Sequence, residues 1–424
     1  MLFPQEAYEA TSFRMSFGWR LVLLVNEPRE IERILVDDGG NYRKSPQQQR
    51  RLQPALGDGL LTAEGELWRS TRQSVAPHFN PRAIAAVFGD MQVSAIEMTR
   101  RWQSRPAPDH PLDLVVEFKR LTYDIISRTA FSGALNRDRA AIHAEMAVYF
   151  DTVGRIDLPS ILGLPPQWPS LAQLRAARAI RAVREVIERI VEDRCSKRSQ
   201  PANDLLDKLL NAADPTTGVA LSPQLVTDNL LTFLVAGHET TANALSWILY
   251  LLATHREAEE QVRREIDAVV QDGRLSPMDL DRLTFTRAVV DEAMRLYPPV
   301  PFIGRRPIGR DVVDDHPVDD RSQILISPWV VHRHRAFWSD PDAFRPERFL
   351  RPDRNVISRG AFLPFGLGPR ICIGQRFALQ EILIVLAAII PMFRFELSEA
   401  DRVFPLARIT LSPAQGLFCR VAAR

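Results

Sequence analysis

A mainly α-helical fold with a small β region (α+β) is what this sequence of 424 residues predicts. Three observations carry that reading: long segments with apolar residues at helical spacing, a few short β-rich runs bounded by Pro, Asp and Gly, and one long apolar rod with a clear start signal.

The first β-rich run, Arg20 to Val25, is expected to be a strand, and its apolar part, Leu21 to Val25, is far too short to cross a bilayer. Helical periodicity dominates from about Pro81 to Trp102, from Leu112 to Phe131 and through the Arg/Glu-rich segment Leu171 to Lys197. At Ser222-Pro223 the serine can cap free N–H groups and the proline suits the first helical position, so a helix is expected from there to about Leu252. Roughly 30 residues at about 1.5 Å each make a rod of about 45 Å, long enough to traverse the molecule and therefore central. Gln323 to Ser327 and the segment from Phe404 to Val421 supply the other β-rich runs, and a further helix is expected from about Gly374 to Ile390. There is no internal repeat, low-complexity tract or Ser/Gly-rich linker, so residues 1–424 are expected to form a single domain.

Two stretches, about Leu230 to Ala253 and Ile382 to Phe393, resemble membrane spans at first sight. The first carries His238 and Glu239 mid-segment and the second is too short, so both are read as buried helices and no membrane span is expected. Hydrophobic residues at 46% and charged residues at 25% are ordinary for a soluble globular protein, and a net charge of +2 gives no reason to expect nucleic-acid binding. The three cysteines, Cys195, Cys372 and Cys419, are odd in number and widely spaced, which suits neither a disulfide framework nor a zinc site. With no signal peptide at the start, a cytoplasmic, reducing location is expected.

The densest chemical signal is Phe365-Gly-Leu-Gly-Pro-Arg-Ile-Cys-Ile-Gly374, which sets one cysteine in a Gly/Pro-rich loop before an apolar helix. Gly366, Gly368 and Gly374 are expected to adopt conformations closed to other residues and curl the loop until its N–H groups face the Cys372 sulfur. Those hydrogen bonds and the positive end of the helix would favour the thiolate, and a lone thiolate of this kind suits axial haem ligation. Gly366 and Gly368 do not extend to a dinucleotide loop, because Ile371 stands where the third glycine belongs.

Within the central rod, Ala236-Gly-His-Glu-Thr-Thr241 interrupts an apolar helix with a glycine, an acid and two hydroxyls. A zinc HExxH site is excluded, since Ala242 occupies the second histidine position. Further on, Glu292-Ala-Met-Arg295 puts opposite charges on one helix face before Tyr297-Pro-Pro299 ends the helix. Near the N-terminus Trp68 and Arg72 stand four apart, Arg305 lies ten residues beyond Arg295, and Phe344-Arg-Pro-Glu-Arg-Phe349 contributes Arg348.

Taken singly, most of these features are commonplace, but their order from about Val22 to Phe418 resembles the cytochrome P-450 family. The Cys loop matches that family's Phe-x-x-Gly-x-Arg-x-Cys-x-Gly signature, with Phe365, Gly368, Arg370, Cys372 and Gly374 in register, and Gly366 is a further cofactor-binding residue that the resemblance implies. The resemblance implies a haem b lying between the long distal helix and the proximal helix after Cys372, with Cys372 as iron ligand. It implies propionate contacts from Trp68, Arg72, Arg305 and Arg370, a groove at Ala236, proton delivery by Glu239 and Thr240, and a structural triad of Glu292, Arg295 and Arg348. Reduction of dioxygen consumes two protons, which explains an acid and an alcohol beside an apolar groove. The implied activity is a haem-thiolate monooxygenase of the soluble bacterial type, using O2 and a lipophilic small molecule, with electrons from a separate ferredoxin- or flavodoxin-type donor and its reductase. A monomer is expected. The alternatives on the same scaffold are a peroxide-driven peroxygenase and a haem-based binding or sensor protein. One departure is Asp319-Asp-Arg321 before Ser322, where many members carry a Pro-x-Gly turn.

Overall fold

The computed structural model describes residues 3–17, 20–37, 40–105, 110–153, 171–196, 202–270, 275–398 and 403–424. Lys197 and most of the segment from Phe150 to Gln173, which sequence reading leaves without a motif, lie outside them.

The helices that build the site are α1 (Gly65–Val75), α2 (Leu114–Phe131), α3 (Arg139–Val153), α4 (Leu171–Ser196), α5 (Pro223–Thr254), α6 (Thr284–Leu296) and α7 (Gln375–Ile389). The long rod α5 begins where its sequence says it should: Ser222 Oγ accepts from the Leu225 N–H at 3.2 Å and Pro223 opens the first turn. It runs 32 residues and ends at Thr254. Helix α2 starts later than its periodicity suggested, because Leu112–Asp113 is spent on a short strand and Asp113 then caps the Val115 N–H at 3.0 Å. It stops at Ser132 and Gly133, both left-handed, with the Gly133 N–H donating back to the Ser127 carbonyl at 2.8 Å. The segment expected to be one helix from Pro81 to Trp102 is two, Pro81–Ala86 and Phe88–Gln103, broken at Val87.

A five-stranded sheet stands beside the helices in the order β1-β2-β5-β4-β3, formed by β1 (Ser12–Phe17), β2 (Arg20–Val25), β3 (Tyr42–Lys44), β4 (Ile303–Pro307) and β5 (Gln323–Ile326). Its β3–β4 edge is antiparallel and sets Lys44 opposite Arg305. The C-terminal β region divides into the hairpin β6 (Pro405–Ala407) and β7 (Leu411–Pro413), and the strand β8 (Phe418–Ala423) of a separate small sheet. The departure at residues 319–321 still makes a turn: Asp319 Oδ1 accepts from the Arg321 and Ser322 N–H groups, closing the chain without proline or glycine.

Burial centres on α5. One apolar cluster joins it to α2, α6 and α7, and a second joins its N-terminal half to α2, α3 and α4. Trp247 of α5 stacks on Tyr297 at 4.0 Å, and its indole N–H donates to the Leu411 carbonyl at 3.0 Å. That bond pins the β6–β7 hairpin, and with it Thr410, against the middle of the rod.

Candidate functional site

The Cys loop is closed by its own backbone. The Cys372 N–H donates to the Phe365 carbonyl at 2.9 Å, and that of Ile371 to the Gly368 carbonyl at 3.0 Å. Gly366 and Gly368 have φ near +75° and +76°, and a Cβ on Gly368 would stand 2.1 Å from the Leu35 carbonyl oxygen, so glycine is required there twice over. Gly374 differs from expectation: its φ is −84°, an ordinary value, because it serves as the residue before α7 rather than as a turn. Cys372 is exposed as a residue, yet its thiol is enclosed enough that desolvation raises its pKa; the Gly374 and Gln375 N–H groups and the Arg72 guanidinium oppose that rise. A bound metal would displace the thiol proton and use the same donors.

Beside the loop lies a surplus of positive charge. Arg370 stacks over Trp68 at 4.3 Å and pairs with Glu64, which also faces Arg43 at 3.6 Å. Lys44 and Arg305 stand opposite one another across β3 and β4, a destabilising juxtaposition unless an anion joins them. Burial lowers Lys44 to about 7 and Arg305 to about 10, with Arg370 adding repulsion and Glu64 opposing it. Lys44 donates to the carbonyls of Leu61 at 2.7 Å and Ala63 at 2.9 Å, while among the described residues Arg305 donates to the Gly304 carbonyl at 3.0 Å. Its neighbour Arg306 is exposed. Lys44 was invisible to sequence reasoning, since only the β3–β4 register carries it to this place. A dianionic edge is what Lys44, Arg72, Arg305 and Arg370 together suit, so the residues fit a group with two carboxylates and a thiolate-bound metal.

On α5 the acid and the alcohol diverge. Thr240 Oγ1 donates to the Ala236 carbonyl at 2.6 Å, the helix-bending bond expected of a mid-helix threonine. Glu239 is buried and turned away, accepting from Lys119 Nζ of α2 at 3.3 Å and from Thr410 Oγ1 at 3.0 Å. Burial raises the Glu239 pKa against the pull of Lys119, which favours a carboxyl that can hold a proton. Gly237 permits the close packing of α2: a Cβ there would meet Ile126 Cδ1 at 3.0 Å.

The three triad residues do meet. Arg295 donates to Glu292 through Nε at 2.6 Å and Nη2 at 2.8 Å, both side chains fully buried. Arg348 Nε reaches the same carboxylate at 3.3 Å. A fourth member, His332, was missed because it stands 37 residues downstream with no local signal. Its Nε2 accepts from the Leu363 N–H at 2.7 Å, so its Nδ1 carries the proton and donates to the Arg295 carbonyl at 3.2 Å. The charge cluster is thereby tied to the start of the Cys loop.

This arrangement has a measurable pH signature. Burial depresses His332 and His238 to about 3 each, so between about 6.5 and about 3 the unfolded chain binds protons that the folded chain refuses. Stability should therefore fall as pH drops through that window, each histidine adding up to about 1.4 kcal/mol per pH unit. Urea unfolding midpoints measured against pH check it: His332→Gln should lose its share of the slope, and an unchanged slope would refute the assignment.

The comparisons agree with the geometry. The cytochrome P-450 family profile matches residues 5–420. The chain belongs to the cytochrome P-450 family. It is 30% identical over 404 residues to cyclooctatin synthase of Streptomyces melanosporofaciens, covering 94% of this chain and 86% of that protein. It is likewise 30% identical to cytokinin hydroxylase of Arabidopsis thaliana, covering 96% of this chain and 79% of the relative. A bifunctional cytochrome P-450/NADPH–P-450 reductase of Gibberella moniliformis is 30% identical over 396 residues, which are 90% of this chain but 35% of that longer protein. This cytochrome P-450 is thus a monooxygenase of the oxidoreductase class, with the mainly α fold and small sheets of its family, and membership implies a haem-thiolate cofactor, O2 and a redox partner. No helix among the described residues of this cytochrome P-450 is long and apolar enough to cross a membrane.

Proposed function

We propose that residues 1–424 act as one haem domain, a cytoplasmic monomer that inserts one atom of O2 into a lipophilic small molecule, by hydroxylation or epoxidation, and reduces the other to water. Electrons come from a separate ferredoxin- or flavodoxin-type donor with its reductase. The observation that carries the reading is the exposed Cys372, with two backbone N–H groups directed at its sulfur, beside the buried Lys44 and the partly buried Arg72, Arg305 and Arg370, which outnumber Glu64. In this reading Cys372 holds the iron of haem b, and Trp68, Arg72, Arg305 and Arg370, with Lys44, receive the propionates. When bound, the haem supplies the oxidising chemistry.

The chain's own work is positioning and proton supply. Phe365, Gly366 and Gly374 shape the sulfur's surroundings, and Ala236 leaves space beside Thr240. Glu239 stores a proton in a buried carboxyl, and Thr240, as donor and acceptor, passes protons toward the groove. The triad of Glu292, Arg295 and Arg348 holds the fold around the loop. Apolar walls come from Leu231 to Val235, Val300 to Ile303 and Leu411, which suits a lipophilic substrate.

Screening lipophilic compounds against the haem-loaded protein for a Soret shift, then assaying the binders with donor and reductase, tests this reading. Oxygenated product from at least one binder is expected; no product from any binder with any competent donor would overturn it. Thr240→Ala and Glu239→Gln should keep consuming reductant while product per reductant falls by about tenfold or more and hydrogen peroxide rises. Unchanged coupling in both variants would remove the two residues from proton delivery.

A further inference from the structure

Behind Glu239, between α2, α3 and α5, four buried polar atoms lack a well-formed hydrogen bond among the described residues: Nε2 of His143, both ring nitrogens of His238, which has the Lys119 backbone nearby, and Oη of Tyr149. His238 is 3% exposed and Tyr149 1%, whereas His143 is partly exposed at the α3 surface. The rings are neighbours. His143 and His238 have centroids 5.7 Å apart, Tyr123 lies 4.4 Å from His143, and Phe150 stacks along His238 at 6.5 Å. Interiors rarely leave such groups unmet, and where protein does not meet them, bound water does. A 5.7 Å ring separation is within reach of one bridging water.

We propose that His143, His238 and Tyr149 bind a short string of internal water that carries protons from the α3 surface to Glu239. The inference rests on the proton-delivery role given to Glu239 above. The inner end of the string is set by Tyr149, which stands near enough to feel the Glu239 charge, and by Lys119, which acts on both His238 and Glu239. Neither histidine gains charge readily: burial holds His238 at about 3, and burial with Arg139 and Arg120 lowers His143. A neutral imidazole passes a proton by accepting on one nitrogen while releasing from the other. The charged groups around the string are Lys119, Arg120 and Asp124 of α2, Arg139 of α3, which pairs with Asp124, and Glu239 itself. Each transfer is balanced: a proton enters from bulk water at His143, and one arrives on the Glu239 carboxylate. Lys119, bonded to Glu239 and partly exposed, is the competing entrance.

Infrared spectroscopy of the haem-loaded resting protein decides between them without turnover. At a pH where Glu239 is protonated, its carboxyl C=O band, identified by its loss in Glu239→Gln, should shift on transfer to D2O. Relative to the native chain, that exchange should slow by at least about tenfold in His238→Phe and also slow in His143→Phe, whose partly exposed site tolerates the change, and Lys119→Met should slow it less. Unchanged exchange in both histidine variants, slowing confined to Lys119→Met, or a crystal structure with no water on these four atoms would overturn the proposal. Because the band is read at rest, failure to oxidise any substrate leaves this test standing, and its failure leaves the oxygenase reading standing.

Discussion

Replacing Cys372 by serine is expected to abolish the thiolate-type spectrum of the reduced carbonyl complex and to lower oxygenation by at least about 100-fold, the upper range for disturbing a metal site's surroundings. The fold should survive. The loop is closed by the Cys372 N–H to the Phe365 carbonyl and by the left-handed Gly366 and Gly368, none of which involves the sulfur. Serine would accept the same two N–H groups but is a hard, poorly ionised ligand, so the electron donation that a thiolate gives is lost. Absorbance of the reduced protein under carbon monoxide, with far-ultraviolet circular dichroism as a folding control, reads both outcomes. A thiolate-type band in Cys372→Ser would assign the ligand elsewhere.

Arg295→Ala should cost about 3–5 kcal/mol and sharply reduce soluble, haem-containing protein, because it strands a fully buried carboxylate. Five hydrogen bonds end on this guanidinium: two to Glu292 and one each to the carbonyls of His332 at 2.7 Å, Pro341 at 2.6 Å and Ala343 at 2.9 Å. Arg348 at 3.3 Å and the Arg345 N–H at 2.8 Å remain to Glu292 but cannot replace a bidentate partner. Arg295→Lys should not rescue, since an ammonium lacks the planar fork that reaches all these acceptors. Chemical denaturation and the haem-to-protein absorbance ratio measure the loss. A midpoint within the scatter of the native protein would show that the triad is ornamental to folding.

How much of this was legible in the sequence depended on range. The distal rod could be read because its signals are local: Ser222 and Pro223 at one end and an apolar run behind them. Local signals also misled. Helical spacing ran through Val87 and Leu112, where the structure breaks one helix and starts another late, since periodicity reports a buried face and not a boundary. Gly374 was read with Gly366 and Gly368 as a turn residue although its φ is ordinary, because composition cannot tell a glycine needed for conformation from one at a helix entrance. The site's long-range partners were out of reach. Lys44 meets Arg305 only through strand register, Lys119 and Thr410 meet Glu239 from elements far apart in the chain, and His332 joins the triad to the loop by backbone bonds. Glu239 and Thr240 are adjacent and share one expected role, but one residue along a helix turns the side chain by about 100°, and each finds its own partner.

The measurement that bears most directly on the haem-thiolate reading is the absorbance spectrum of the unaltered protein, loaded with haem, reduced and exposed to carbon monoxide. A strongly red-shifted Soret band of the thiolate type is predicted, and it should vanish in Cys372→Ser. A histidine-type band, or no haem retained beside Cys372 and its cations, would contradict the assignment at its root.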